Sequence, residues 1–277
     1  MSRLSPLLTV VEAACRKAGK SLTRDFNEVE HLQVSKKGPA DFVSAADRKA
    51  DKILREELQR ARPTFGFMTE EGADIVGDGE HRWIIDPLDG TTNFLHAVPH
   101  FAISVALEKA GEIIAAFVYH PLYDEAYWAE KGTGAFTNRS GRLRVSSRKD
   151  FSQCLIATGI PFKGQGDIAT FTKELETVST QVSGVRRMGT ASLDLAYVAA
   201  GRFDAYWERN MKPWDIAAGI LLVREAGGYV VDYNGQPATA MTKDIIAANS
   251  EIIKPFSEMF GIKTLAQIES KRESKTA

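Results

Sequence analysis

Apolar residues near the start of the chain recur every three or four positions. Leu4, Leu7, Leu8, Val11, Ala14 and Ala18 keep this spacing, which predicts an amphipathic helix. A second helix is predicted over residues 44–61. Its start resembles a capping box, Ser44-x-x-Asp47, and Ile53, Leu54, Leu58 and Ala61 form its inner face before Pro63. The pattern then shifts to short apolar runs. Those over 65–69, 82–86, 101–108, 113–119 and 125–129, with a further segment near 143–145, predict strands. Ala110-Gly111 suits a hairpin turn, so this half is expected to form a largely antiparallel sheet.

From residue 155 onward strands and helices alternate. Strands are predicted over 155–158, 185–188, 203–207, 229–232 and 245–248, and helices over 168–182, 190–200, 213–226 and 252–260. Gly201 closes the second of these helices, while Pro213 and Gly227-Gly228 bracket the third. The charged stretch 269–277 reads as a frayed tail. A soft boundary near 146–151 divides an α+β half, residues 1–148, from an α/β half, residues 149–277, the two merging into one unit. The expected class is mixed α/β, built as stacked layers of helices and sheets.

Composition removes several alternatives. With 277 residues the chain can form one large domain or two merged subdomains. Basic and acidic residues number 35 and 36, for a net charge of −1, so nothing points to nucleic acid or to an anionic membrane surface. No apolar stretch approaches the roughly 18–20 residues that span a bilayer. The first helix contains Glu12 and is followed by Arg16 and Lys17, unlike a signal peptide. Cys15 and Cys154 make neither a metal spacing nor a disulfide framework, and a reducing, cytoplasmic setting is expected.

The candidate chemistry starts in WIIDPLDGTTNF, residues 83–94. Pro87 keeps Asp86 extended at the end of a strand. Asp89-Gly90 turns sharply, and Thr91-Thr92-Asn93 opens a helical turn. The loop thus presents two carboxylates beside free backbone N–H groups of the kind that hold phosphate. Carboxylates repel phosphate unless divalent cations lie between them, and hard oxygen donors select Mg²⁺ or Mn²⁺.

Each acidic residue also has an ordinary explanation. Asp-Gly is a common turn, and Glu70-Glu71 can be a solvated surface pair. Asp215, third in its helix, can complement the helix dipole. It nevertheless precedes the apolar run Ile216-Ala217-Ala218-Gly219-Ile220, and a carboxylate beside such burial is costly unless paired or metal-bound. Capping accounts for Asp47 fully. Glu208 follows a strand-like run, where a loop could reach a ligand.

Taken together, these residues resemble the inositol monophosphatase family. Asp86-Pro87-Leu88-Asp89-Gly90-Thr91-Thr92 is similar to its first signature. Trp214-Asp215-Ile216-Ala217-Ala218-Gly219, running on to Glu225-Ala226-Gly227-Gly228, is similar to its second. Glu70-Glu71 and Gly189-Thr190-Ala191 fit in order. Thr69 stands where many members have glycine. The resemblance covers nearly the whole chain and implies αβαβα layers, a homodimer, and Mg²⁺-dependent, lithium-sensitive hydrolysis of phosphate monoesters. It implies that Glu70, Asp86 and the Leu88 carbonyl hold one Mg²⁺, that Asp86, Asp89 and Asp215 hold a second, and that Glu70 touches a third, weaker one. Thr91, paired with Asp47, would orient the attacking water, and the N–H groups of Gly90 and Thr91 would hold the phosphate. Asp89, Ala191, Glu208 and Asp215 would face the alcohol.

Inositol monophosphate is the substrate expected first. Adenosine 3′,5′-bisphosphate, fructose 1,6-bisphosphate and histidinol phosphate are alternatives on the same chemistry, with discrimination assigned to loops 159–167 and 185–210. A non-catalytic binding protein on this fold is the alternative of another class, and the intact acidic set speaks against it. His96 and His100 are read as structural or surface residues, and Arg186 and Arg187 as solvated or at a subunit interface.

Overall fold

The computed structural model describes residues 4–32, 39–161 and 166–266. The first helix, α1 (Pro6–Leu32), runs well past the apolar spacing that announces it. The second, α2 (Pro39–Ala61), begins at Pro39 rather than Ser44. Proline suits a first helical turn because its φ is preset and its missing N–H would have no partner there. The capping reading of Ser44 and Asp47 is therefore overturned. Asp47 lies well inside α2 and is only 2% exposed, so its ordinary explanation is gone.

The first sheet contains β1 (Gly66–Thr69), β2 (His81–Asp89), β3 (Ala102–Lys109), β4 (Glu112–His120), β5 (Glu125–Glu130), β6 (Gly134–Thr137) and β7 (Gly141–Arg142), side by side in chain order. All neighbours are antiparallel except β1 and β2, which run parallel. Two expectations need correction. Strand β2 continues through Pro87 to Asp89, with its register broken between Asp86 and Asp89. No strand forms near 143–145; the ladder ends in the glycine-bearing β6 and β7, whose composition reads as turn. Leu143 and Val145 are apolar because they pack in the core between the sheets.

The second sheet contains β8 (Leu155–Thr158), β9 (Gly184–Arg186), β10 (Ala205–Glu208), β11 (Tyr229–Asp232) and β12 (Ile245–Ala248), in the order β11-β12-β10-β8-β9. Further helices among the described residues are α3 (Thr91–Leu95), α4 (Ile168–Ser179), α5 (Ala191–Ala199), α6 (Pro213–Glu225) and α7 (Ile253–Glu258). Helix α4 starts at a clear cap, with the Asp167 side chain accepting from the N–H groups of Ala169 and Thr170. It stops three residues short of the expected end. The tail 269–277 lies outside the described residues.

Three cores separate five layers. Helices α1 and α2 cover one face of the first sheet, α5 and α6 fill the space between the sheets, and α4 and α7 cover the far face of the second. The strand period of two sorts the side chains. Trp83, Ile85, Val105 and Phe117 point to α1 and α2, whereas Ile84, Ala102, Ala106 and Ala116 point to α5 and α6. Alanines on that inner face let the central helices lie close. Both central helices are buried almost all round, so neither shows an apolar stripe in sequence. Among the described residues no helix is long and apolar enough to cross a membrane.

The α5–α6 contact is tight at Gly219, where an added Cβ would lie 2.5 Å from Leu195 Cβ. Gly219→Ala should therefore destabilise the protein by about 1–3 kcal/mol in urea unfolding. Alanine's better helix propensity alone would predict a gain of about 1 kcal/mol, so a stabilised variant would contradict this packing.

Candidate active site

The first signature folds as a broken strand end. Asp86 and Asp89 are 2% and 9% exposed. Asp86 Oδ1 accepts the Leu88 N–H at 2.9 Å, which fixes the kink that Pro87 begins. Gly90 has φ 96°, and a Cβ there would lie 2.6 Å from Thr190 Oγ1 and 3.0 Å from the His100 carbonyl oxygen. Only glycine fits both the angle and the space. The Thr91 hydroxyl donates to the Leu88 carbonyl at 3.1 Å. No Thr91–Asp47 hydrogen bond is present among the described residues, because the Thr91 hydroxyl is turned to Leu88. Asp47 Oδ1 is buried without a hydrogen-bond partner.

Parallel pairing brings in Glu70. Strand β1 places Thr69 opposite Ile85, and the Glu70 N–H donates to the Ile85 carbonyl at 3.2 Å, so the next side chain stands beside Asp86. Thr69 Oγ1 accepts the Gly72 N–H at 3.1 Å and is also held by Arg55, so threonine closes this turn where many relatives would have glycine. Glu71 is exposed. From the other half, α6 contributes Asp215 in its first turn, with Oδ2 accepting the Lys212 N–H at 2.8 Å.

These carboxyls crowd one another. Burial is the first cause of every upward shift, and neighbouring carboxylates add to it for all but Asp215. Asp47 and Asp89 are pushed up to about 8. Glu70, on a residue open to solvent at the rim but with its carboxyl turned towards Asp86, is raised to about 7. Asp215 is raised to about 6, and Asp86 lies well above its ordinary value. Among the described residues, none of the five forms an ion pair with lysine or arginine. Buried carboxylates without a basic partner are the donor set of a hard divalent cation. No three such side chains among the described residues close on one point. Asp86, Asp89 and Asp215 each keep an oxygen on a backbone N–H, and like charges spread. The donor chemistry fits Mg²⁺.

A cavity of about 360 Å³ opens beside this cluster. Glu70, Asp89, Gly90, Thr91 and Asp215 line it together with Ala191, Asp194 and Glu208. Asp47, Asp86 and Leu88 do not line it. Burial, then Asp215, raises Glu208 to about 7, and the Tyr206 hydroxyl donates to its Oε2. A Cβ at Gly159 would collide with that carboxylate. Arg187 lines the cavity too and is exposed, in keeping with the solvated position expected for it.

Sequence reasoning missed the ties between the two halves. Asp89 Oδ2 accepts the N–H and the hydroxyl of Ser192, at 2.7 and 2.6 Å, at the start of α5. Asn93 Nδ2 donates to the carbonyls of His100 and Met188 at 2.8 and 2.9 Å, and Thr190 Oγ1 donates to that same His100 carbonyl at 3.1 Å. The partners are 90 or more residues apart, the His100–Asn93 pair excepted, beyond the reach of local pattern. The nearest signal was their adjacency to the two glycine motifs. His96 is exposed, and His100 anchors these ties through its backbone.

Five alternating layers and a carboxylate cluster beside a glycine loop define a metal-dependent phosphatase class. Residues 3–267 match the inositol monophosphatase family, and the chain belongs to that family of phosphatases. It is 58% identical over 256 residues to an inositol-1-monophosphatase of Rhizobium meliloti (strain 1021), covering 92% of this chain and 96% of the relative. A protein named Nus factor SuhB from Salmonella typhimurium (strain LT2) is 41% identical over 252 residues, covering 91% and 94%. The crystal structure of extragenic suppressor protein suhB from Bartonella henselae superposes with a TM-score of 0.83 at 52% identity, over 92% of this chain and 98% of that one.

Two outcomes follow from this geometry. Carboxyls whose pKa is raised in the folded state contribute stability that is fully present below their unfolded values, about 4, and lost as pH rises through about 6 to 8. In chelator, the melting temperature should fall between pH 5 and pH 8, and added Mg²⁺ should restore more at pH 8; equal Mg²⁺ shifts at both would contradict this. Asn93→Ala takes the amide donor from the half-buried Met188 carbonyl and leaves the His100 carbonyl only Thr190, which should cost about 1–3 kcal/mol in urea unfolding and lower kcat/KM roughly tenfold or more.

Proposed function

We propose that the chain hydrolyses a small phosphate monoester with Mg²⁺, and that myo-inositol monophosphate is the substrate. One observation carries this reading: a carboxylate cluster with no basic partner among the described residues flanks a glycine loop at the mouth of a cavity of about 360 Å³. The relatives named inositol-1-monophosphatase support the choice of ester.

In this reading Glu70, Asp86, Asp89 and Asp215, with the Leu88 carbonyl, hold two Mg²⁺ ions, and Glu70 reaches a weaker third; Mn²⁺ can substitute. Bound there, such ions supply Lewis-acid stabilisation to the attacking and leaving oxygens. The Gly90 and Thr91 N–H groups hold the phosphate. The Thr91 hydroxyl leaves the Leu88 carbonyl and, with Asp47, orients the water. Asp89, Ala191, Glu208 and Asp215 face the alcohol. No residue is needed as a covalent nucleophile, since positioning and charge suffice for phosphoryl transfer. We further infer a cytoplasmic homodimer, in keeping with the family resemblance and with two free, buried cysteines.

Phosphate release from inositol 1-phosphate, with Mg²⁺ titrated from zero, tests the proposal. Turnover should require the metal, fall with Li⁺, and drop about a hundredfold or more in Asp89→Asn. Near wild-type turnover in that variant would overturn the site, and a strong preference for a nucleotide or sugar bisphosphate would overturn the substrate.

A further inference from the structure

The cavity carries a carboxyl that the proposed chemistry does not use. Asp194 sits in the first turn of α5, is 2% exposed, and lines the cavity. Its Oδ1 is buried with no hydrogen-bond partner, and among the described residues it forms no ion pair. Its flanking residues Leu193 and Leu195 are fully buried, so an apolar side chain would suit the helix better. The helix itself has no use for the oxygen: the Ser192 N–H is taken by Asp89, and the Asp194 N–H by the Thr190 carbonyl.

The carboxylates around it are already engaged. Glu208 accepts the Tyr206 hydroxyl and Asp89 accepts Ser192. A buried acceptor left without a donor destabilises a fold; Oδ1 itself is sealed from solvent, but Asp194 lines the cavity, so a ligand there can bring the donor to its carboxyl. A phosphate set directly against Asp194 and Glu208 would be repelled by them, although Arg187, Arg209 and Lys212 line the same cavity. An aromatic or alkyl group would leave the oxygen unpaired. A hydroxyl matches it.

We propose that Asp194 is a specificity residue that accepts a hydrogen bond from a hydroxyl of a polyol monophosphate, beyond the ester oxygen. This rests on the phosphomonoesterase reading of the same cavity. A hydroxyl needs only an acceptor, so asparagine can replace the aspartate; an ammonium would need the charge.

The test compares kcat/KM for inositol 1-phosphate with that for phenyl phosphate, which has the ester but no hydroxyl, at saturating Mg²⁺. Wild type should prefer the inositol ester. Asp194→Ala should lower that preference about tenfold or more, chiefly through KM, while Asp194→Asn keeps most of it. Asp194→Ala should melt no lower than wild type, because an unpaired buried carboxyl is removed. If the alanine variant does not fold, Asp194→Leu, which has the shape without the oxygens, gives the same readout. A proportional loss on both substrates, or a preference kept by a destabilised variant, would show a structural residue and overturn the proposal. Loss of the preference in Asp194→Asn as well would show that the charge and not the acceptor matters, and would overturn the proposal. Failure of the proposed function would show separately, as wild type cleaving neither ester or cleaving only phenyl phosphate.

Discussion

Carboxylates that share a poorly solvated cleft repel one another, and among the described residues no lysine or arginine forms an ion pair with them; Arg48 and Lys212 ease the charge only of Asp47 and Asp215. A protein selected for stability alone would place a base or an apolar residue there. This one holds Asp86 and Asp89 buried in a kinked strand end and surrounds them with Asp47, Glu70 and Asp215. Protons keep the cluster tolerable, and divalent cations would do so better. The rest of the site is organised around that unfavourable charge.

The layers make the crowding possible. Parallel pairing of β1 and β2 delivers Glu70 beside Asp86. The start of α6 delivers Asp215, and the start of α5 delivers Ser192 to Asp89. These helix starts reach the first sheet because its inner face is lined with alanines and because Gly219 lets α5 and α6 nearly touch. Small residues far from the chemistry therefore set the distance between the two halves of the site. The amide of Asn93, tied to His100 and Met188, fixes that distance at the glycine loop.

The cavity brings together two kinds of group. A glycine loop and metal-type donors suit an anion only when cations intervene. Glu208, braced by Tyr206, and Asp194, with a spare buried oxygen, add acceptors. These two carboxyls suit the hydroxyls of the proposed polyol, while Arg187, Arg209 and Lys212 line the same cavity.

The sequence by itself determined much of this. Short apolar runs located most strands, with Leu155–Thr158, Tyr229–Asp232 and Ile245–Ala248 matching residue for residue. Two glycine-bearing motifs named the acidic residues, because a kinked loop demands particular residues in a row. Tertiary structure decided the rest. It moved the start of α2 to Pro39 and left Asp47 uncapped in a helix interior. It carried β2 on to Asp89, and it let glycine-bearing β6 and β7 pair where local composition reads as turn. It also joined Asp89 to Ser192 and Asn93 to Met188, across 103 and 95 residues. Local patterning records the backbone's preference over a few turns of chain. Which distant carboxyl loses its water, and which keeps an oxygen free for a ligand, depends on layers that exist only once the chain has packed.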